Sequence, residues 1–190
     1  MQEDLPQLLQ ACLQRDTRAE RALYRRFAGR VLTLCRRYAR DDYEAQEFLQ
    51  ECWILLFDKL NRYNPAKGNF EPWLQRVCTN CVLDELRRRK RQPHTVALAP
   101  SHTEAPDETD DPIFERYPPE TLLTAIQQLP DGYRQVLNLA IFEGWKHRRI
   151  AERLGISAAG SRSQLTRAKQ ALRKLLLQQT QPINAFGKSQ

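Results

Sequence analysis

Glycine is scarce in this chain, at 7 of 190 residues, and no apolar run approaches the roughly 20 residues that span a bilayer. No segment keeps the apolar–polar alternation of a strand. The first residues lack the basic segment, apolar core and small-residue cleavage site of an export signal. Lysine, arginine, glutamate, glutamine, leucine and alanine are abundant, which favours helices. These features predict an all-α, cytoplasmic protein.

Patterns that carry catalysis or bind cofactors are also missing. There is no glycine-rich phosphate loop, and no Ser/His/Asp order has a supporting context. Cys78 and Cys81 have the C-x-x-C spacing of metal and redox sites, but the second pair that a zinc site needs is absent, since His94 and His147 are isolated. The two cysteines lie one turn apart on the apolar face of a predicted helix. Small buried side chains are therefore the favoured interpretation, with a thiol redox switch as the alternative, and we predict no enzyme, no metal and no cofactor.

The distribution of charged residues and prolines indicates how the chain is organised into domains and linkers. A net charge of +7 and a pI of about 9.4 favour a polyanionic partner, although a basic protein can also be merely soluble. Residues 101–120 hold seven acidic side chains and one arginine, and prolines recur from Pro93 onward, which is typical of a linker. The predicted organisation is two small helical domains, 1–92 and 121–178, a flexible acidic linker, 93–120, and a flexible tail, 179–190.

Helical periodicity is clear in the first domain. Apolar residues at helical spacing predict a helix over about Thr17–Ala39, with a shorter helix before it. Asp41 or Asp42 can cap the next helix. Asparagine, proline and glycine make residues 61–69 a loop. The helix that follows ends in the basic run Arg87–Arg91.

The segment Gly144–Leu176 has the outline of a helix-turn-helix, which places its second helix in the major groove of DNA. Gly155 suits the left-handed conformation of the turn, and Ser157 can cap the second helix. We expect residues near the start of that helix to meet base edges and basic residues further along to meet phosphates; a merely solvated basic face is the alternative. The candidate DNA-binding residues are Arg162, Ser163, Gln164, Thr166, Arg167 and Lys169.

Several motifs in order resemble those of bacterial RNA polymerase sigma factors of the extracytoplasmic-function (ECF) group. In the first domain these are AQEFLQECW at Ala45–Trp53 and FEPWLQRVCTNCVLDELRR at Phe70–Arg88. The second domain has the family's L-P-x-x-Y-R-x-V, E-G, I-A-E-x-L-G-I-S and R-A-x-x-x-L-R patterns. The resemblance covers nearly the whole chain. It implies a protein that binds core RNA polymerase, recognises the −10 and −35 promoter elements and directs transcription initiation.

The resemblance assigns roles within the first domain. The helix that holds Glu47, Gln50 and Glu51 would dock on a coiled coil of the largest polymerase subunit. The loop and the helix after it would capture an unstacked base of the −10 element, and the basic run would grip phosphates. Trp73 is expected in the core instead. The implied −10 residues are Asn61, Tyr63, Asn64, Asn69, Phe70, Asn80, Arg87, Arg88, Arg89, Lys90 and Arg91.

In the second domain the resemblance implies that the helix-turn-helix reads the −35 element as duplex. Two departures affect that helix: Gly160–Ser161 stands where the family usually has Thr-Val, and Gln164 where it has Arg. Glycine weakens a helix by roughly 1 kcal/mol relative to alanine, so we expect a loose or shifted start. Proteins of this group are often held inactive by an anti-sigma factor, frequently at the membrane, which adds such a factor as a candidate partner.

Other functions compete with this interpretation. A stand-alone helix-turn-helix regulator would bind operator DNA without polymerase, but it leaves the docking face of the first domain unexplained. A protein-binding module that sequesters another factor is a third class. Specific initiation by core polymerase in the presence of this chain distinguishes the sigma factor from both.

Overall fold

The computed structural model describes residues 4–91 and 117–179, and every regular element within them is helical. The described residues fall into two compact units, an N-terminal unit within residues 1–98 and a C-terminal unit within 99–190. The all-α prediction is confirmed. Most of the predicted linker and nearly all of the predicted tail lie outside the described residues.

Four helices build the N-terminal unit, and their apolar faces form its core. Two short 3₁₀ turns, Leu60–Arg62 and Pro65–Lys67, occupy most of the predicted loop. Phe27, Phe48 and Phe70 are buried among leucines and cysteines. The helices are α1 Leu5–Leu13, α2 Thr17–Tyr38, α3 Asp42–Lys59 and α4 Phe70–Arg91.

Aspartate caps set the starts of α2 and α3. The Asp16 carboxylate accepts hydrogen bonds from the backbone N–H groups of Arg18 and Ala19, at 2.7 and 3.3 Å. The Asp41 carboxylate accepts one from Glu44 N at 2.8 Å, so Asp41 is the cap of α3 and Asp42 is its first residue. Each cap satisfies backbone donors that the first turn of a helix leaves without partners.

The C-terminal unit has three short helices and one long helix around an aliphatic core. Its first helix begins at Pro119, within the predicted linker, because proline suits the first turn of a helix, where no N–H is needed. A π turn, Asn138–Phe142, extends the second helix. Ile126, Leu137 and Leu172 are among the buried residues of the core. The helices are α5 Pro119–Gln127, α6 Asp131–Leu137, α7 His147–Leu154 and α8 Ala158–Gln179.

A buried arginine fixes the junction between α5 and α6. The Arg134 residue is 1% exposed, and its guanidinium donates to the carbonyl oxygens of Gln127 and Leu129 at 2.7 and 2.9 Å. The same group donates to the Asp131 carboxylate at 2.6 Å. These bonds satisfy carbonyls at the end of α5 that have no continuing helix to accept from. The position of α6 therefore depends on one charged side chain.

Candidate nucleic-acid and partner interfaces

The outer face of α3 carries an exposed mixed stripe. Tyr43, Glu47, Gln50 and Ile54 follow one another at intervals of four, three and four residues, which places them on one side of a helix. Tyr43 is 76% exposed and Ile54 66%. We call these four residues the α3 stripe. The sequence motifs singled out its polar members but missed the two apolar ones, which the same spacing could have found.

Glu47 lies at the edge of this stripe and is held by an ion pair. Its carboxylate lies 2.9 Å from the Arg89 guanidinium, which also contacts the Glu44 carboxylate at 3.1 Å. The Glu44 carboxylate accepts a further hydrogen bond from Arg40 N at 2.6 Å. Glu47 is thus half-buried and braces α4, whereas Gln50 and the neighbouring Glu51 are exposed.

At the basic end of α4, some side chains are exposed to solvent and one, that of Arg89, makes contacts within the fold. Arg87, Arg88 and Lys90 are exposed, and the Glu85 carboxylate raises the pKa of Arg88 through a hydrogen bond of 2.6 Å. Arg89 packs over the Phe48 ring at 4.9 Å, besides its two ion pairs. The guanidinium of Arg89 is bound within the fold in this arrangement, and its phosphate contact stays a prediction. The side chain of Arg91 lies outside the described part of the chain.

An aromatic cluster supports the loop that precedes α4. Phe70 is 2% exposed and packs against Phe27, Tyr63 and Trp73, with ring centroids 5.3, 5.3 and 5.6 Å apart. The ring of Phe70 is enclosed by these neighbours in this arrangement, and its stacking on a base stays a prediction. Trp73 packs in the same cluster and is half-buried, so it lies at the edge of the core rather than within it.

The polar residues of the loop remain at the surface. Tyr63 is half-buried, and its hydroxyl donates to the Gly68 carbonyl oxygen at 3.1 Å. The Asn64 side chain accepts from Ala66 N at 2.9 Å and shapes the second 3₁₀ turn. Two further candidates, Asn61 and Asn69, are exposed, whereas Asn80 on α4 is half-buried.

The C-terminal unit contains the predicted helix-turn-helix. Gly155 has φ of +69°, the left-handed conformation expected at the turn. Ser157 Oγ accepts from Gly160 N at 2.8 Å and caps α8 as predicted. The expected loosening at Gly160 is not seen, because α8 is regular from Ala158 onward.

A polar contact replaces apolar packing between α7 and α8. Ser161 is fully buried, and its hydroxyl lies 2.9 Å from Nδ1 of His147. His147 is thus a hydrogen-bond partner that allows a serine to occupy this buried position.

The candidate readers on α8 differ in exposure. Arg162 is exposed, and the other five are half-buried. Thr166 donates its hydroxyl to the Arg162 carbonyl oxygen at 3.3 Å. The amide oxygen of Gln164 lies against Gly132 at the start of α6, 3.5 Å from where a Cβ would stand there. Arg162 is thus the most accessible of the six.

The described residues form neither a metal-binding cluster nor a membrane-spanning helix. Across residues 4–91 and 117–179, no group of three or more His, Cys, Asp or Glu side chains is arranged to hold a metal ion. In the same residues, no helix is long and apolar enough to cross a membrane.

Comparison with known proteins decides the family. Residues 23–92 match the family model of sigma-70 region 2, and residues 120–172 match that of sigma-70 region 4. The chain is 32% identical to the RNA polymerase sigma factor CarQ of Myxococcus xanthus over 160 residues, which cover 81% of this chain and 87% of CarQ. The chain is an ECF-type RNA polymerase sigma factor.

Two further comparisons, with one relative and one solved structure, show how similar this sigma factor is to known proteins. It is 32% identical to the ECF RNA polymerase sigma factor SigE of Mycolicibacterium smegmatis over 157 residues, 81% of this chain and 60% of SigE. The sigma factor RpoE, solved in complex with the anti-sigma factor NepR from Bartonella quintana, gives a TM-score of 0.46 at 16% identity, covering 81% of this chain and 96% of RpoE. Family membership disfavours the stand-alone regulator. An anti-sigma partner for this sigma factor stays a prediction.

Basic residues in the first turn of α7 extend the sigma factor's candidate interface beyond the predicted residues. The Arg149 guanidinium lies 3.6 Å above the Trp145 ring, and Arg148 is almost fully exposed. The first helix of a helix-turn-helix commonly crosses the DNA backbone, so cations at its start are placed for phosphates. The run of basic residues after Trp145 was the available signal, and sequence reasoning concentrated on α8 instead.

Proposed function

We propose that this chain is a non-catalytic, cytoplasmic initiation factor that joins core RNA polymerase through the α3 stripe and grips promoter DNA with both units. The single observation that carries the proposal is the exposed stripe itself. A regulator that acts on DNA alone needs the helix-turn-helix but has no use for Tyr43 and Ile54 in water. Exposed apolar side chains among polar ones mark a surface that another protein covers.

The spacing of the stripe favours a helical partner. Anchors at intervals of four, three and four residues form a straight ridge that fits the groove of an opposing helix or coiled coil. Gln50 and Glu51 beside the ridge add polar contacts at its rim. We assign this surface to the coiled coil of the largest polymerase subunit, on the basis of family membership.

The loop before α4 is proposed to hold an unpaired base of the −10 element. Asn61, Asn69 and the remaining polar edge of Asn64 can hydrogen-bond to a base, and Tyr63 is a partly accessible aromatic side chain within the loop. Arg87, Arg88 and Lys90 stand at the far end of α4, where cations meet phosphates. Phe70 and Arg89 support this surface from within the fold.

The start of α8 is proposed to read the −35 element. Arg162 is the best-placed residue for base edges, since arginine pairs with guanine through two hydrogen bonds. Arg167 and Lys169 lie further along α8, and Arg148 and Arg149 on α7 flank them for contact with the backbone.

The test measures binding and initiation separately. We expect Ile54→Glu to weaken binding to core polymerase at least about tenfold, the effect of one lost interface anchor of 1.4 kcal/mol or more. Gln10→Glu, which introduces the same charge at an exposed position of α1, is the matched control and should bind normally. Sequencing of transcripts made by core polymerase with the wild-type chain should show defined start sites. Tight binding of duplex DNA without any added initiation would overturn the proposal.

A further inference from the structure

Four of the five cysteines gather in the core of the N-terminal unit. Cys35 comes from α2, Cys52 from α3, and Cys78 and Cys81 from α4, and all are buried free thiols. Cys52 is the centre of the group: its Sγ donates to the Cys78 carbonyl oxygen at 3.6 Å. Its thiol also lies within hydrogen-bond reach of the side chains of the other three. The sequence grouped only Cys78 with Cys81, whereas the fold adds the other two.

The thiols of Cys52 and Cys81 differ in their protonation. A hydrogen bond from Cys52 lowers the pKa of Cys81, although burial and the carboxylates of Glu85, Glu51 and Asp84 oppose it. Hydrogen bonds with Cys35, Cys78 and Cys81, together with burial, raise the pKa of Cys52. Cys81 therefore has the greater thiolate character and Cys52 keeps its proton. The thiolate is the form of cysteine that reacts with oxidants.

The cysteine cluster is slightly accessible to solvent. Cys81 is 6% exposed, whereas the three other members are at most 1% exposed. A cavity of about 330 Å³ between α2 and α4 reaches Cys78, one turn before Cys81. Its lining includes Arg37 and also Arg30, which is paired with Glu71. Because a water occupies about 30 Å³ in the liquid, the cavity has room for a small peroxide.

We propose that this cluster is an oxidation site, in which hydrogen peroxide or a small hydroperoxide oxidises Cys81 and Cys52 then closes a Cys52–Cys81 disulfide. The Cys81 thiolate attacks one peroxide oxygen, the O–O bond breaks, and the leaving hydroxide takes a proton to become water. Cys81 is then a sulfenic acid. The sulfur of Cys52 attacks the sulfenic sulfur, and the Cys52 proton leaves with the hydroxyl group as a second water. Two thiols and one peroxide thus give one disulfide and two waters.

The disulfide would join α3 to α4 through the centre of the unit. Cys52 follows Gln50 and Glu51 directly on α3, and Cys81 lies about two turns before the exposed arginines of α4. Oxidation would therefore cross-link the two helices that carry the candidate surfaces of this unit. The site itself does not rest on the proposed function, because a thiol cluster can be oxidised whether or not the chain binds polymerase.

The test is a peptide map of the folded, full-length chain after peroxide treatment. Free thiols are alkylated under denaturing conditions before and after reduction, and mass spectrometry assigns the linked pair. We expect one disulfide, Cys52–Cys81, fully reversed by dithiothreitol, with Cys12 left as a free thiol. In Cys52→Ala, Cys81 loses the hydrogen bond that lowers its pKa and should react more slowly, and the sulfenic acid that forms should persist and be trapped by dimedone. Cys35→Ala is the matched control, since it removes another neighbour of Cys52 and should leave the disulfide unchanged.

The outcomes that overturn the proposal are equally specific. Five alkylatable thiols after excess peroxide, Cys12 included, would show that the cluster is inert in the folded chain. A wild-type map that links Cys52 to Cys78 or Cys35 would refute the assignment of Cys81. Oxidation that appears only above the unfolding midpoint in denaturant would show that the folded structure gives no access. Each of these results comes from the wild-type chain, so none depends on whether a variant folds.

Discussion

The two units differ in where they place buried polar side chains. The core of the N-terminal unit is built from aliphatic side chains, aromatic rings and thiols, and its buried Glu44 pairs at the edge with Arg89, which also joins Glu47. The C-terminal unit places buried polar side chains at its helix junctions, with Arg134 between α5 and α6 and Ser161 between α7 and α8. Long helices can hold their packing by apolar area alone, whereas short ones need specific bonds to fix their angles. The units should therefore respond differently to the loss of one polar side chain.

The largest expected effect is that of Arg134→Leu. It leaves the carbonyl oxygens of Gln127 and Leu129 without their donor and removes the partner of Asp131, so the C-terminal unit should lose about 3–5 kcal/mol of unfolding free energy. Hydrogen exchange followed by mass spectrometry reads each unit separately. Arg148→Leu, at a side chain 91% exposed, is the control and should cost about 0.5 kcal/mol or less. Unchanged protection in α5 and α6 would show that the comparison is wrong.

Two neighbouring arginines of α4, Arg88 and Arg89, test how much polar contacts stabilise the N-terminal unit. Arg89→Ala removes both ion pairs and uncovers Phe48, and it should cost about 1–3 kcal/mol because the buried carboxylate of Glu44 loses its cation. Arg88→Ala should leave stability within about 0.5 kcal/mol, since Arg88 pairs with Glu85 at the surface. Promoter binding by the polymerase complex should weaken in Arg88→Ala with a reduced salt dependence. Equal stability of the two variants would remove the structural role given to Arg89.

The contact between α7 and α8 predicts a measurable coupling. A double-mutant cycle of His147→Ala and Ser161→Ala should give a coupling of about 0.5–1.5 kcal/mol in denaturant unfolding, the range of one buried hydrogen bond. The surface pair Arg148 and Glu152, analysed in the same way, should give about 0.3–0.5 kcal/mol. A coupling no larger than that of the surface pair would mean that the buried bond does not fix α8.

Two helical glycines give the smallest predicted effects. Gly29→Ala on α2 should stabilise the N-terminal unit by about 0.5–1 kcal/mol, because no neighbouring atom lies within 4 Å of the added Cβ. In Gly160→Ala the Cβ would stand 3.0 Å from Ser157 Oγ, the atom that caps α8. The gain in helix propensity is then offset by disturbance of the cap, and we expect little net change in the unfolding midpoint. Equal stabilisation by both substitutions would contradict this distinction.

Local features of the fold could be predicted from the sequence. The period of apolar residues gave the helices, and the caps at Asp41 and Ser157 and the turn at Gly155 follow from chemistry within four residues of each site. The burial of Phe70 could not be predicted in this way, because it depends on rings from α2 and the loop that close around it.

The features that could not be predicted from the sequence depend on contacts between residues far apart in the chain. Arg89 meets partners 42 and 45 positions away, and nothing in a basic run distinguishes the one arginine that turns inward. The gathering of Cys35 and Cys52 around Cys78 and Cys81 likewise depends on how three helices pack. Helical spacing identifies the face of a helix but not what that face meets.

The bond between His147 and Ser161 should also leave a trace in evolution. A serine is acceptable at that buried position only while an imidazole stands opposite to complete its hydrogen bond. Replacement of either residue alone would remove this hydrogen bond from the polar atom of the other. The two positions are therefore expected to change together as lineages diverge, with an apolar residue at position 161 where the histidine is lost. An alignment of relatives should therefore show paired substitutions at these two positions, 14 residues apart, because their contact sets the angle of α8.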